Sequence, residues 1–365
     1  MRVPYSYLTQ QFDPDKPLAR AIFEDMRKLF SDGDFTLGWP VRRFEKAFQE
    51  KFRVKHAIGV SNGTDALALS LQALGFDNKK EWVATVPNSF VATAGAILQA
   101  GANIRFVDVK GDYLIDKQQA HKASARCVIG VDLTGNPIRW DSNDDWLEGK
   151  RYIRDAAQAI GAEVDGVSVA NLGDAVCFSL HPLKNLNVAG DGGVVSTNSD
   201  ELAARVRLLR NHGLADRDTV TTPGFNHRLA SLQAIVAYQQ MMWKAEDGFD
   251  WVTNQRIANA ERYDKAFLSC PMVRLPPRDP RVKAVYHTYV IRIQLRAELQ
   301  AYLAAHEIET KVHYPKPIHL QPGYANLGYG PGDFPETERQ SEEILSLPIH
   351  QYLSDEQIEY VANEI

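Results

Sequence analysis

Between residues 17 and about 245 the chain alternates between two hydrophobic patterns, one typical of helices and one typical of strands. A helical pattern begins behind Pro17, a residue favoured in the first turn of a helix, and similar stretches follow at residues 41–52 and 64–74. Short β-rich runs lie between and after them, at residues 104–108, 127–132, 152–155, 175–179 and 194–197. Strands that alternate with helices predict the α/β fold class, a mainly parallel central sheet with helices on both faces.

The pattern changes after a predicted long helix at residues 228–244. Beyond it we predict helices near 256–268 and 297–306, strands at 287–293 and 309–313, and a loop rich in proline, glycine and tyrosine at 315–335. We therefore predict a large domain with an N-terminal arm over residues 1–245, and a smaller C-terminal α+β domain over residues 246–365.

Charge and cysteine content limit what the chain can bind. The net charge is −5, and no run of lysine and arginine forms the basic footprint of a nucleic-acid-binding protein. Residues 82–104 carry no charge, but a proline and two glycines divide them into strand, turn and helix, so we expect no membrane span. The N-terminus lacks the apolar region of a signal peptide. The cysteines are far apart, which predicts no metal site and favours a reducing, cytoplasmic compartment: Cys127, Cys177 and Cys270.

Lys184 is the first candidate for chemistry. It follows the hydrophobic strand pattern that ends near Ser179, and a glycine-rich stretch at residues 190–193 opens the next strand. A lysine that forms a Schiff base with a carbonyl must be neutral part of the time, and burial in an apolar, tightly turned site lowers the pKa of its amine. The alternative is an ordinary surface charge.

Asp155 ends a short apolar strand, where a buried carboxylate needs a positive partner. The protonated ring nitrogen of pyridoxal 5'-phosphate (PLP) would supply that partner, and the carboxylate would keep the ring an electron sink. Gln158, one turn further along, is then placed to hydrogen-bond the phenolic oxygen of the ring. The alternative for Asp155 is a helix N-cap.

Two further segments suit a flat, phosphorylated ligand. Gly63 and Thr64 open a predicted helix, whose free N–H groups and positive dipole end favour a phosphate. Phe90 stands at a predicted strand-to-helix junction, from which an aromatic side chain is able to stack on a ring. The alternatives are an ordinary capped helix and an ordinary core phenylalanine.

In their order and spacing these motifs resemble the DegT/DnrJ/EryC1/StrS family of sugar aminotransferases, within the PLP enzymes of fold-type I. The resemblance extends from residues 35–38 to the tail motifs at residues 313–315 and 319–321, nearly the whole chain. It implies that Lys184 holds PLP covalently, that Asp155 pairs with the ring nitrogen, and that Gln158 meets the ring oxygen. It also implies that Phe90 stacks on the ring.

The resemblance further implies how the phosphate and the substrates bind. Gly63, Thr64 and Ser179 would hold the phosphate, whereas Asn226 would reach the phosphate of the neighbouring subunit, which implies a homodimer with shared active sites. The cavity would accept a keto-sugar linked to a nucleotide, with glutamate as the amino-acid donor. The candidate substrate-binding residues of the tail are His313, Tyr314 and His319.

The sequence departs from the family's pattern in three segments. Arg154 precedes Asp155 where the family often has Glu, and we expect it to point away from the ring with little effect. Residues 132–135 read Asp-Leu-Thr-Gly where His-Leu-Tyr-Gly is common, and Trp39 and Pro40 replace the more frequent Pro-Glu after Gly38. These changes alter the usual substrate contacts and favour an unusual member of the substrate class.

Transamination of a keto-sugar in amino sugar or polysaccharide biosynthesis is the leading prediction. A cyclitol aminotransferase acting on a keto-inositol is the nearest alternative. A PLP-dependent sugar dehydratase is another, although such relatives tend to carry His in place of the lysine that this chain keeps at Lys184. A non-enzymatic regulator with the PLP fold is disfavoured because the whole catalytic set is present and no DNA-binding segment is appended.

Overall fold

The computed structural model describes residues 1–139 and 145–365. The strands of this part are β1 His56–Val60, β2 Trp82–Thr85, β3 Asn103–Phe106, β4 Cys127–Val131, β5 Arg151–Asp155, β6 Glu163–Val164, β7 Val167–Ser168, β8 Ala175–Ser179, β9 Gly193–Thr197, β10 Val282–Lys283, β11 Tyr289–Arg292 and β12 Ile344–Leu347. Its α-helices are α1 Leu8–Gln11, α2 Pro17–Asp32, α3 Trp39–Phe52, α4 Gly63–Ala73, α5 Val91–Ala100, α6 Lys117–Lys122, α7 Asp200–Leu209, α8 Ser231–Met242, α9 Phe249–Phe267, α10 Arg296–Ala305, α11 Pro335–Glu343 and α12 Asp355–Asn363.

The central sheet has the strand order β1-β9-β8-β5-β4-β2-β3. The five strands from β8 to β3 are parallel, while β9 is antiparallel to both of its neighbours. This arrangement confirms the predicted α/β fold with a mainly parallel sheet. Because the parallel strands run the same way, their carboxyl ends meet at one edge, where sites in such folds lie.

Helices cover both faces of this sheet because each has an apolar stripe to bury. On one face, α3 carries Phe44, Phe48 and Phe52 at four-residue intervals, and the ring of Phe48 packs 5.5 Å from that of Phe178 in β8. On the other face, α4 and α5 pack against each other and bury a second core with Ala66, Leu69 and Ile97. Burying a phenylalanine side chain stabilises a fold by about 1.5–3 kcal/mol, so these contacts fix α3 on the sheet.

The uncharged stretch at residues 82–104 forms β2, α5 and the start of β3, as predicted. Within the described residues, no helix is long and apolar enough to cross a membrane.

The C-terminal region builds its own core from α9, α10, α12 and the antiparallel pair of β11 and β12. The helix predicted near 256–268 begins earlier, at Phe249, and the predicted strand at 309–313 is reduced to a single bridge between Lys311 and Ser346. Prolines at positions 315 and 317 end the extended backbone there, because proline donates no hydrogen bond to a sheet.

The C-terminal core also includes Val3, a residue that the prediction assigned to the large domain. Val3 is fully buried there, its N–H donates to the Glu307 carbonyl at 2.9 Å, and its carbonyl accepts from the Glu309 N–H at 3.0 Å. A contact made by one residue leaves no periodic pattern in the sequence. The alternation of helix and strand patterns therefore gave no sign that Val3 packs with the C-terminal residues.

Candidate active site

Asp155 and Lys184 meet at the carboxyl edge of the central sheet. Asp155 is the last residue of β5 and is in register with Cys177 of the neighbouring strand β8. Lys184 follows β8 in a turn closed by hydrogen bonds, from its own N–H to the His181 carbonyl at 2.8 Å and from the Asn187 side chain to its carbonyl at 2.9 Å. The turn therefore holds the lysine against the strand ends.

The amine of Lys184 lies in an environment that favours its neutral form. Burial lowers the pKa of Lys184 to about 8, while the negative charge of Asp155 acts in the opposite direction. A lysine in water has a pKa near 10.4, so a much larger fraction of this amine is neutral and nucleophilic near physiological pH.

The Asp155 carboxylate is buried, with 5% of the residue exposed. It accepts hydrogen bonds from Thr93 Oγ1 at 2.7 Å and from the Ala157 N–H at 3.2 Å. Burial raises the pKa of Asp155, and these hydrogen bonds and the charge of Lys184 oppose that rise. Residues 156–162 form turns, so Asp155 is not a helix N-cap.

A cationic ring nitrogen fits this carboxylate. Among the residues that the structure describes, no basic side chain comes within 4.0 Å of the Asp155 oxygens. A buried carboxylate without such a partner is expensive, and a protonated pyridine nitrogen would supply one. The donor set at this place therefore matches PLP.

The start of α4 and the end of β8 approach each other closely at the predicted phosphate site. A Cβ atom added to Gly63 would lie 2.9 Å from Ser179 Cβ and 3.4 Å from Ser179 Oγ, so the backbone approaches this closely only because residue 63 is glycine. Asn62 caps the helix by accepting the Asp65 N–H at 2.8 Å. The earlier N–H groups, those of Gly63 and Thr64, belong to the helix turn that has no internal acceptors. The structure thus brings the three predicted phosphate ligands together.

Gln158 and Phe90 lie on either side of Tyr314. Gln158 is 7% exposed, its Oε1 accepts the Thr134 N–H at 2.7 Å, and its Nε2 lies 3.4 Å from the Tyr314 hydroxyl. The Phe90 ring centroid is 5.8 Å from that of Tyr314, and 55% of Phe90 is exposed. Phe90 is therefore not a core residue, and its ring remains available to a ligand.

The tail residues divide into two groups. His313 Nδ1 lies 2.9 Å from Ser346 Oγ, and burial together with the positive charges of Lys184 and Lys311 lowers the pKa of His313 to about 4, so its ring is neutral beside the site. His319 instead is 2% exposed, with Nε2 at 3.1 Å from Glu338 and its ring against Phe334. These contacts make His319 a packing residue and give its predicted substrate contact no support.

Asn226 faces away from the chain's own core. It is exposed, forms an isolated bridge with Asn211, and lies in a loop that is held against the start of α4. The hold comes from His227, whose Nδ1 lies 3.0 Å from Asp65 Oδ2 and whose carbonyl accepts the Ser61 N–H at 2.9 Å.

Three residues of the site escaped the sequence prediction. Thr93 supports Asp155, Thr134 holds Gln158, and His287 has a pKa that is lowered well below its usual range by burial and then by the charge of Lys184. Thr93 left a local signal, since it is a hydrogen-bonding residue in the mainly apolar helix α5, and Thr134 belongs to the Asp-Leu-Thr-Gly segment that departs from the family's pattern.

Comparison with known proteins agrees with this arrangement. The sequence model of the DegT/DnrJ/EryC1/StrS aminotransferase family matches residues 17–365. A "pleiotropic regulatory protein" of Geobacillus stearothermophilus is 38% identical, over 100% of this chain and 98% of that protein. The dTDP-3-amino-3,4,6-trideoxy-alpha-D-glucose transaminase of Micromonospora megalomicea is 34% identical, over 90% and 89%. The crystal structure of S. venezuelae DesV has a TM-score of 0.92 and 31% identity, covering 100% of this chain and 97% of that one.

Proposed function

This chain belongs to the DegT/DnrJ/EryC1/StrS aminotransferase family, whose members are PLP-dependent transaminases, and we propose that it transfers an amino group from glutamate to a keto-sugar linked to a nucleotide. Bound PLP supplies an electron sink and a carrier for the amino group between the two substrates. The observation that carries the proposal is the buried Asp155 carboxylate beside a lysine whose pKa is lowered to about 8.

The roles of Lys184 and Asp155 follow from their surroundings. Lys184 Nζ would hold the cofactor covalently, and the same amine would take up and return a proton. The Asp155 carboxylate would hold a proton on the ring nitrogen, and the Thr93 hydroxyl fixes the orientation of that carboxylate. A preorganised charge of this kind needs no rearrangement during the reaction.

The remaining predicted residues would orient the cofactor. Gly63, Thr64 and Ser179 would hold the phosphate, which the approach of α4 to β8 supports. Gln158 would donate to the ring oxygen, and Phe90 would cover a ring face. A PLP held at its phosphate, its nitrogen, its oxygen and its face has one orientation.

The proposed substrate class rests on the relatives and on two side chains of the candidate site. The transaminase of Micromonospora megalomicea acts, by its name, on a sugar linked to dTDP. His313 and Tyr314 are the proposed substrate contacts, since His313 is a neutral ring beside the amine and Tyr314 lies between Gln158 and Phe90. Amino sugar biosynthesis, including that of polysaccharides, is the process we propose for the product.

We further propose a homodimer with shared active sites, located in the cytoplasm. Phe225 is 63% exposed beside the exposed Asn226, and an apolar side chain next to a polar one on a protruding loop suits an interface between subunits. The three cysteines of the described chain are free, which supports a reducing compartment.

The decisive experiment uses the purified protein loaded with PLP. Borohydride reduction followed by peptide mapping should place the pyridoxyl label on Lys184, and a label on another lysine would contradict the assignment. In a separate, unreduced sample, glutamate should bleach the visible absorption band of the Schiff base between PLP and lysine. A panel of nucleotide-linked keto-sugars should then yield one aminated product by mass.

The same panel tests the alternative functions. A keto-inositol is added to the panel. If it is aminated and none of the keto-sugars is, the protein is a cyclitol aminotransferase. If a sugar loses water and is not aminated, the protein is a dehydratase. Absence of any reaction with glutamate would favour a regulatory role. The relative from Geobacillus stearothermophilus is named as a regulatory protein, and its name specifies no reaction.

A further inference from the structure

Arg154 and Asp132, which the sequence singled out separately, form one buried ion pair. Arg154 Nη1 lies 2.8 Å from each of the two oxygens of Asp132, and both side chains are fully buried. Arg154 also donates from Nη2 to the Ile138 carbonyl at 2.9 Å and from Nε to the Leu172 carbonyl at 3.0 Å. A lysine cannot make this set of contacts, because only the planar guanidinium presents a fork of donors.

The pair fixes both ends of one turn. Asp132 begins the turn that contains the 3-10 helix Leu133–Gly135, and Ile138 ends it. The Ile138 N–H donates to Asp132 Oδ1 at 2.9 Å, so the carboxylate of the pair closes the turn on itself while the guanidinium holds the Ile138 carbonyl. Replacing such a pair by apolar residues is often neutral for stability, so the geometry that it imposes is the more specific consequence.

The position of the 132–138 turn determines the orientation of the Gln158 side-chain amide. Thr134, at a φ of 66°, donates its N–H to Gln158 Oε1 at 2.7 Å. A backbone N–H is only a donor, so Gln158 must present its oxygen to Thr134 and its NH₂ group to the opposite side. Gly135 reinforces this contact, since a Cβ atom there would lie 2.9 Å from the Gln158 carbonyl.

We propose that the buried Arg154–Asp132 pair is a positioning device that holds the 132–138 turn and so aims the Gln158 NH₂ group at the ring oxygen of the cofactor. The inference rests on the proposed PLP site and extends it to two residues that touch neither cofactor nor substrate. It also replaces the expectation that Arg154 has little effect.

The test reads the bound cofactor rather than turnover. Loss of a donor leaves more negative charge on the ring oxygen, which holds the proton on the neighbouring Lys184 nitrogen more tightly. The pKa of the visible band should therefore rise in Gln158→Ala, by about half a unit or more. Arg154→Lys should raise it in the same direction, and the double variant should rise no further than Gln158→Ala alone.

A matched control separates positioning from general stability. Arg292 is also a buried arginine, 3% exposed and paired with Glu336 and Glu343. Arg292→Lys should lower thermal stability without moving the pKa of the visible band. The other titratable groups that interact with Lys184 are Asp155, His313, His287 and His181, while Tyr314 interacts with Asp155 and Gln158. All of these groups except Gln158 itself are retained in these variants.

Three results of these measurements would contradict the positioning role of the Arg154–Asp132 pair. The inference is overturned if Arg154→Lys leaves the band's pKa unchanged, if Gln158→Ala does, or if the two shifts add in the double variant. Where Arg154→Lys fails to fold, Asp132→Asn carries the same test, because it keeps an acceptor for the Ile138 N–H and removes the charge. A wild-type protein that forms no visible band with PLP would instead refute the proposed function.

Discussion

Thr93 Oγ1 donates a hydrogen bond of 2.7 Å to Asp155 Oδ2, and Ser89 Oγ lies 2.7 Å from the same threonine oxygen. All three residues are buried, at 1%, 5% and 5% exposure for Thr93, Asp155 and Ser89. The hydroxyl lowers the pKa of Asp155 against the effect of burial. The negative charge that Asp155 would present to a ring nitrogen thus depends on Thr93 of α5, a helix that is distant in sequence from β5.

Removal of this hydroxyl should slow the enzyme. Thr93→Val keeps the shape of the side chain and deletes a hydrogen bond to a charged group, a change of about 1.5–3 kcal/mol. We expect the rate of the glutamate half-reaction to fall roughly ten- to hundredfold, measured by stopped-flow absorbance. Thr93→Ser keeps the hydroxyl and should react at close to the wild-type rate. Equal rates for the valine and serine variants would show that the contact is only structural.

Replacing the carboxylate itself should have a larger effect. Asp155→Asn removes the negative charge but keeps the hydrogen-bonding shape, so much of the PLP should remain bound. Without that charge the ring nitrogen loses its proton, and we expect a loss of at least about a hundredfold in turnover. Near-normal turnover in a variant shown by absorbance to be loaded would disprove the pairing.

The lowered pKa of Lys184 sets a pH dependence that is measurable on the apoprotein. The amine reacts in its neutral form, so the rate of PLP uptake should rise with pH up to about 8 and level off above it. The charge of Asp155 raises the pKa of Lys184, so the midpoint of the same profile should move to lower pH in Asp155→Asn. A midpoint near 10 in the wild-type protein would mean that the amine is exposed to water.

The predicted phosphate site should not tolerate a side chain at position 63. Gly63→Ala places a Cβ atom 2.9 Å from Ser179 Cβ, and overpacking of this kind costs about 1–3 kcal/mol. We expect PLP to dissociate roughly five- to hundredfold more readily, measured by equilibrium titration of the apoprotein. Gly111→Ala, where no atom lies within 4 Å of the added carbon, is the matched control and should bind PLP normally.

Sharing of sites between subunits is testable by mixing variants. Asn226→Ala should weaken PLP binding by about 1.5–3 kcal/mol, the range for a hydrogen bond to a charged group. At a PLP concentration where this variant is mostly unloaded, mixing it with Lys184→Ala should restore part of the activity, because one site of each mixed dimer is intact. Each variant mixed with itself is the control. No recovery in dimers shown to have exchanged would mean that Asn226 serves its own chain.

The sequence predicted best those features that leave a local pattern. The strand that ends at Asp155 and the turn that carries Lys184 are each defined by their immediate neighbours, and the parallel sheet then places both at one edge. Thr134 and His287 have no such pattern, because their roles depend on contacts with Gln158 and Lys184 that only the fold creates. The same holds for the Arg154–Asp132 pair, whose members were visible separately but not as partners.

The burial of Val3 between Glu307 and Glu309 has a consequence for how the protein matures on the ribosome. Residues 1–7 are translated some three hundred residues before the segment that they join. All seven strands of the central sheet have been made by Thr197, whereas the C-terminal core needs β11, β12 and α12, the last of which ends at Asn363. Val3 thus packs into its core only after the C-terminal strands have been made, and deletion of residues 1–7 would expose the hydrophobic core that is translated last.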